Sequence, residues 1–511
     1  MRGEVQTPCG HSRQIAVLLP PSVVLWLAFL LLNCQLDRKS FWVDELFTAH
    51  IATISLGQIP ATVAADLHPP LYFLTVRLWS QVAGTGEFVI RWLSVFAAMV
   101  ALSLTYRLGA FLGGRRLALL GLLSLTFSPF FVEFSRMARY YSWFLCWGIL
   151  STYLLLLAWR SEKMHLWAGY GLASILLLYT FYLGFLLLLA HGLAVMLYAD
   201  SLGRRRWLIA TALVALSFLP WATVAAAQVI RSGDMGLADF AGHFSGLLLS
   251  SLYPFYAFSV GETVFPWFPT AVPAALIWLG FAGYGYLSLS KPWRDLLLLL
   301  VVVPVFLTAI IVTYISTGTP FLNAPVRAFA ALPYLTLLGS AGWSALRSRF
   351  WQAILGTLVG LTWMVSLANG YAGRQYLNPN YIIPAREVAR EIAAEAGPGD
   401  VVIGEWDSGF SYYFQRHQFE VTYLEAGQTA EVIRFLNDHT PNRVWLVTIG
   451  RDRTREAAPV EILNWLFANY QQVEEKGYVE QAPLYRRIKE RLLQRPAYPY
   501  KLVVRQFERR P

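Results

Sequence analysis

Charge is scarce in this chain. Only 14% of its 511 residues are Asp, Glu, Lys or Arg, against roughly 25% in an ordinary soluble domain. So few charges could not cover several water-soluble domains, although the length alone would allow them. Cysteine is scarcer still. There are three, Cys9, Cys34 and Cys146, and none lies in the C-terminal two thirds. That excludes a disulfide framework and a cysteine-ligated metal site. No repeat of fixed period and no low-complexity linker is visible, which excludes solenoids and flexible tethered modules.

What fills the space is apolar: 56% of the residues are hydrophobic. Runs such as "AVLLPPSVVLWLAFLLLNC" and "LLLLLVVVPVFLTAIIVTYIS" approach the ~20 residues that cross a bilayer. The first run is too long for a signal peptide, and no small-residue cleavage site follows it. Eleven spans are expected, near 15–36, 88–112, 117–134, 140–159, 166–181, 182–199, 207–226, 271–289, 296–316, 328–345 and 351–370. The fold class is then a polytopic α-helical membrane protein in residues 1–370. A C-terminal α/β domain, expected outside the cytoplasm, takes up 371–511.

The formal charge of +10 is distributed as a topogenic signal. With Arg2 and Arg13 inside, alternate loops carry Arg107, Arg115 and Arg116, then Arg160 and Lys163, then Arg204–Arg206, then Lys291 and Arg294, then Arg347 and Arg349. Every cluster falls on the cytoplasmic side, provided the 166–199 run crosses twice. This excludes nucleic acid as the partner that explains the charge. The opposite side receives residues 37–87, a turn at 135–139, a loop at 227–270, a turn at 317–327 and the tail. In the tail, "REVAREIAAEAGPGDVVIG" and "AEVIRFLNDHTPNRVWLVTIG" alternate helix, turn and strand, which suggests a mostly parallel sheet. "GPGD" ends a helix there and is a turn, not a phosphate loop.

Acids at a membrane lip are costly and usually functional. "FWVDELFTAH" sets Asp44 and Glu45 among aromatic and aliphatic neighbours, and "ADLHPPLYFLTVRLW" adds Asp66. Adjacent residues on a helix point about 100° apart, so one acid can face a reaction centre while the other faces a neighbour or a metal. In "FSPFFVEFSRMARYYSWF", Arg136 and Arg139 would share a helix face, and a guanidinium fork suits phosphate. Arg327, in "TPFLNAPVRAFAALP", could add a third cation.

In order along the chain, "FWVDE", "DLHPPLYFL", "FSRMARYYSWF", "YTFYLGFLLLL" and "NAPVRAFAALPYL" resemble the membrane type-C glycosyltransferases. The resemblance covers about residues 15–370. It is closest to bacterial relatives of the dolichyl-phosphate-mannose protein mannosyltransferases (glycosyltransferase family 39) and of the aminoarabinose lipid A transferase. Relatives often carry His where this chain has Phe181, and Arg-Tyr where it has Arg327-Ala328. The resemblance implies transfer of a hexosyl or pentosyl group from a polyprenyl-phosphate donor in the plasma (inner) membrane to an extracytoplasmic protein, lipid or glycan. Asp44, Glu45 and Asp66 are then the catalytic candidates. Arg136, Arg139, Tyr140 and Arg327 are the candidates for the donor phosphate, and His68, Tyr72 and Tyr182 for the substrate pocket. No cofactor is required by this chemistry, although the three acids could also form a divalent-cation site.

A transporter or flippase of lipid-linked sugars would also show many spans and intramembrane Arg, but such proteins more often have two similar halves, and none are visible. A membrane scaffold would leave the one-sided acids and Arg unexplained. The orientation is directly testable. A reporter active only in the cytoplasm, fused at residue 400, should stay silent; activity there would reverse the topology.

Overall fold

In the computed structural model, the described residues are 20–161, 163–236, 244–315, 320–405, 409–417, 419, 421–450, 460–493 and 497–510. Arg2, Cys9, Arg13 and the start of the first expected span lie outside them. Among the described residues, six helices are by length and composition long and apolar enough to cross a membrane, and three shorter apolar helices accompany them.

The described residues open with α1 (Pro21–Asn33), started by a proline at its first position, where a missing N–H costs nothing. Three short helices follow in the expected outer loop: α2 (Val43–Ile51), α3 (Ile59–Ala65) and α4 (Leu71–Ala83). The expected spans 88–112 and 117–134 form one helical stretch, α5 (Glu87–Phe127), which reverses at Gly113 and Gly114. Gly114 has φ +75°, a conformation open to glycine at little cost. The two legs lie so close that a Cβ on Gly109 would sit 2.9 Å from the Ala118 Cα. The second leg stops at Ser128, whose hydroxyl caps α6 (Pro129–Ser135).

α7 (Tyr141–Ser161) and α8 (Met164–Thr180) pack side by side, and α9 (Gly184–Tyr198) returns after the break at residues 181–183. Tyr170, before that break, and His191, after it, have rings 5.8 Å apart. The 166–199 run therefore forms two helices that fold back toward each other. α10 (Ser201–Gly236) is one long helix, and α11 (Phe244–Val260) occupies what had been expected as a loop at 227–270. Its Ser, Tyr and Pro dilute the apolar signal, yet it packs against the next three helices: α12 (Ala271–Ser288), α13 (Trp293–Ile315) and α14 (Pro320–Arg327). α14 likewise replaces the expected turn at 317–327. α15 (Leu332–Ala345) and α16 (Arg349–Ala372) complete the bundle. At the α12–α15 crossing, a Cβ on Gly342 would fall 1.8 Å from the Phe281 carbonyl oxygen. Small residues let membrane helices approach this closely.

The bundle is polarised end to end. Arg160 lies over the Phe111 ring, with its guanidinium 4.0 Å from the ring centroid, and 5.2 Å from that of Trp293. Asp295 accepts from the Tyr198 and Tyr286 hydroxyls. Those contacts gather three of the basic clusters at one end. Along α7 that end is about 29 Å from Tyr141, close to a hydrocarbon thickness.

The C-terminal domain comprises α17 (Ala385–Glu395), β1 (Val401–Gly404), α18 (Phe410–His417), β2 (Thr422–Glu425), α19 (Thr429–His439), β3 (Arg443–Ile449), α20 (Val460–Asn469), β4 (Tyr470–Glu480), α21 (Pro483–Leu493) and β5 (Tyr500–Arg509). Its sheet runs β2-β1-β3-β5-β4. β1 is parallel to β2 and β3, whereas β5 is antiparallel to both β3 and β4. The sheet is thus mixed, not mostly parallel. The charged edge strand "YQQVEEKGYVE" hides the difference, because edge strands carry charge to block further pairing and so lose their strand signal. "GPGD" is a turn, as expected: the Gly397 N–H donates to the Asp400 carboxylate at 2.7 Å, and Arg443 pairs with that carboxylate at 2.8 Å.

Candidate active site

At the end opposite the basic clusters, a cavity of about 900 Å³ opens between the bundle and the C-terminal domain. Asp44, Asp66, His68, Arg139, Tyr140, Tyr182 and Arg327 all line it. Sequence positions nearly 300 apart thus converge on one space.

α2 decides what each acid does. Trp42 precedes the helix, and Glu45, three residues on, caps its N-terminus from the third position; acids in a first turn suit the helix dipole. From that turn Asp44 points into the cavity with its side chain 41% exposed, 3.5 Å from Arg139 Nη2. Glu45 points the other way and is 1% exposed. Its carboxylate accepts from Arg91 Nε at 2.9 Å and Nη2 at 2.6 Å, and from the Ala138 N–H at 2.7 Å. The divergence expected for neighbours on a helix is realised. Glu45 nevertheless takes no place in the cavity, so its candidacy as a catalytic group is corrected to that of a buried tie.

The Ala138 bond explains how Arg139 is aimed. α6 ends at Ser135, and residues 136–140 form a turn, not the helix that would have put Arg136 and Arg139 on one face. Arg139 runs into the cavity floor and is 2% exposed. It donates to the Asp44 carbonyl at 3.0 Å and bonds His68 Nε2 at 3.1 Å, with its guanidinium 5.2 Å from the Tyr140 ring centroid. Arg136 turns away. It donates to the Leu32 carbonyl at 3.1 Å and to that of Cys34, and lies over Tyr371. It therefore satisfies the free carbonyls at the end of α1, and the expected phosphate role loses its geometric basis.

A guanidinium can only donate, so His68 Nε2 must accept from Arg139. The ring proton is then on Nδ1, which donates to Asp66 Oδ2 at 2.9 Å. Burial, followed by the Arg139 charge, lowers the His68 pKa despite the Asp66 bond, and so favours the neutral ring. Burial alone would raise the Asp66 carboxyl, but the His68 hydrogen bond and the Arg139 charge outweigh it and hold the group below its usual value. Asp66, His68, Arg139 and Asp44 thus form one connected chain of polar groups.

Tyr182 is both wall and strut. Its hydroxyl accepts from Trp221 Nε1 at 2.7 Å and donates to Gln228, whose amide holds the Val63 carbonyl at 2.9 Å. That links α10 to the loop carrying Asp66. Tyr140 stacks on Phe181 with centroids 4.5 Å apart. Tyr72 does not reach the cavity: it is buried behind Tyr140, with ring centroids 6.4 Å apart. The expected pocket role therefore does not hold for it. Because Glu45 is turned away, the three acids do not converge, and no group of three or more His, Cys, Asp or Glu able to hold a metal ion occurs among the described residues.

Several lining residues were not anticipated. Gln228 sits in an apolar helix, where a lone amide was a readable signal. Asn378, Asn380, Lys489 and Lys501 come from beyond the bundle, and nothing local in the sequence points them at Asp44.

The sequence model of the family described as dolichyl-phosphate-mannose-protein mannosyltransferase matches residues 67–223. No curated protein matches. Among solved structures, ArnT from Cupriavidus metallidurans in the apo state is similar over 95% of this chain and 97% of its own, with TM-score 0.57 and 13% identity. The fold is that of the type-C membrane glycosyltransferases. The Archaeoglobus fulgidus oligosaccharyltransferase tethered to an acceptor peptide is similar over 96% of this chain and 88% of its own, with TM-score 0.52 and 12% identity. The same archaeal enzyme, AglB, in complex with an inhibitory peptide and a dolichol-phosphate has the same coverage and identity, with TM-score 0.50.

Removing one partner of a buried ion pair typically costs ~3–5 kcal/mol. Glu45→Ala should therefore lower the thermal unfolding midpoint in detergent strongly, whereas Asp44→Asn, at a partly exposed carboxylate with a looser contact to Arg139, should lower it less. Equal midpoints for Glu45→Ala and wild type would contradict the role of Glu45 as a tie.

Proposed function

We propose that the protein transfers a sugar from a polyprenyl-phosphate donor to a hydroxyl or similar acceptor outside the cytoplasm. The observation that carries this reading is the pairing of a solvent-reachable carboxylate, Asp44, with a buried guanidinium, Arg139, at the floor of one large cavity. Phe185, Val229, Ile311 and Val312 make part of the wall apolar, a surface suited to a lipid chain entering from the bilayer. AglB, which shares the fold, binds a dolichol-phosphate.

The chemistry requires little else. As the acceptor oxygen attacks the sugar C1, Asp44 takes its proton, the bond from C1 to phosphate oxygen breaks, and the phosphate departs as an anion with the electron pair. No general acid is needed, in contrast to the paired carboxylates of a glycosidase. Arg139 supplies fixed positive charge below the departing phosphate, and Arg327, half-buried at the end of α14, supplies more from the side. Preorganised charge of this kind is effective because nothing has to reorganise during the reaction. Arg139 is also held by the Asp44 carbonyl and by His68, so its contact with the Asp44 carboxylate stays loose, at 3.5 Å.

Asp44→Asn keeps the shape but cannot accept the proton, and general-base catalysis is worth ~10²–10⁴-fold. Turnover should fall by about that factor while donor binding survives. Wild-type turnover in this variant would overturn the assignment of the base.

A further inference from the structure

Between α1 and α2 the chain has no regular structure over residues 38–42 except bends, and this stretch delivers Asp44 to the cavity. Irregular backbone needs a partner for each polar group it buries. From α5, Arg91 takes the carbonyls of Leu36, Lys39 and Ser40 at 2.8–3.0 Å. Further groups are taken from the C-terminal domain. Arg386, on α17, donates to the Asp37 carbonyl at 3.0 Å and to the Arg38 carbonyl at 2.7 Å. Its own N–H donates to the Ser40 hydroxyl at 3.0 Å, and that hydroxyl donates to Glu387 at 2.8 Å. The Tyr413 hydroxyl, on α18, accepts from the Phe41 N–H at 2.7 Å and donates to Glu87 at 2.6 Å. Glu87 stands one helical turn before Arg91 and also binds Arg386 at 2.7 Å.

We propose that Arg386 and Tyr413 are positioning residues for Asp44: the C-terminal domain clamps residues 37–41 against α5, and so fixes the direction in which α2 presents its carboxylate. The inference rests on Asp44 being the base. Neither residue lines the cavity, so neither touches substrate. Their leverage comes from distance in sequence. Arg91 holds the segment from the α5 side, whereas Arg386 spans two successive carbonyls with a rigid fork that a lysine cannot reproduce. Misplacing a reacting group by about 1 Å can cost ~10²-fold in rate.

The test compares Arg386→Ala, Arg386→Lys and Tyr413→Phe with Arg416→Ala, which loses contacts to Thr85 but none to residues 37–41. Turnover is followed as polyprenyl phosphate released from the polyprenyl-phosphate sugar that wild-type protein uses best, and hydrogen–deuterium exchange is followed in the peptide 36–46. For Arg386→Ala we expect faster exchange there and kcat reduced by about 10–10²-fold, with the KM for donor nearly unchanged. Arg386→Lys should fall between, and Arg416→Ala should match wild type. Unchanged exchange in Arg386→Ala, or faster exchange with wild-type kcat, would overturn the clamp. Should Arg386→Ala fail to fold, Tyr413→Phe, which removes a single oxygen, decides by the same criteria. A wild-type protein that releases nothing from any donor would sink the transferase reading instead, and the exchange arm would still decide whether Arg386 holds the segment.

Discussion

Arg91 and Glu45 meet in the protein interior, 46 residues apart in sequence, and neither could remain there alone. Taking both charges out of water costs several kcal/mol each, and only close, fully bonded geometry offsets it. The pair therefore adds little net stability but a great deal of specificity. Around it the carbonyls of Leu36, Lys39 and Ser40 find their donors, and the Ala138 N–H finds its acceptor. The first turn of α2 is fixed on one side and the 136–140 turn on the other. Asp44, just before Glu45, and Arg139, just after Ala138, are thereby aimed at the same space.

The site follows from this arrangement by short steps. Arg139 is pinned by the Asp44 carbonyl and by His68, His68 is pinned by Asp66, and the Asp66 loop is held by Gln228 at the far end of α10. Each link is a side chain on a different element, so the cavity floor is rigid without any one helix supplying it. The roof is different in kind. It comes from the C-terminal domain, whose Asn380, Lys489 and Lys501 reach the same space, and the domain grips the loop that leads into α2.

Much of this was legible in the sequence, and the exceptions have physical causes. Apolar runs announce membrane helices because no other environment tolerates them, but α11 was missed because Ser, Tyr and Pro interrupt its apolar run, and its Tyr253 and Tyr256 find their acceptors only in the folded bundle. Asp44 stood out because charge between aromatic residues at a membrane lip is costly. Its neighbour Glu45 looked equally exposed, since a partner on α5 cannot be read from adjacent residues. Arg136 was misassigned because a helical spacing was assumed across what proves to be a turn, where residues three apart no longer share a face. β4 was hidden by the charges that protect a sheet edge. Lys489 and Lys501 carry no local signal at all, and only tertiary folding brings them to the cavity.

The most direct test of the account is to incubate the purified protein in detergent or lipid with a panel of polyprenyl-phosphate sugars and an extract of extracytoplasmic acceptors, and to follow the release of polyprenyl phosphate. The account predicts release from at least one donor that depends on acceptor and is abolished in Asp44→Asn. Release that is undiminished in Asp44→Asn, or no release from any donor while labelled lipid-linked sugar changes leaflet in proteoliposomes, would contradict it.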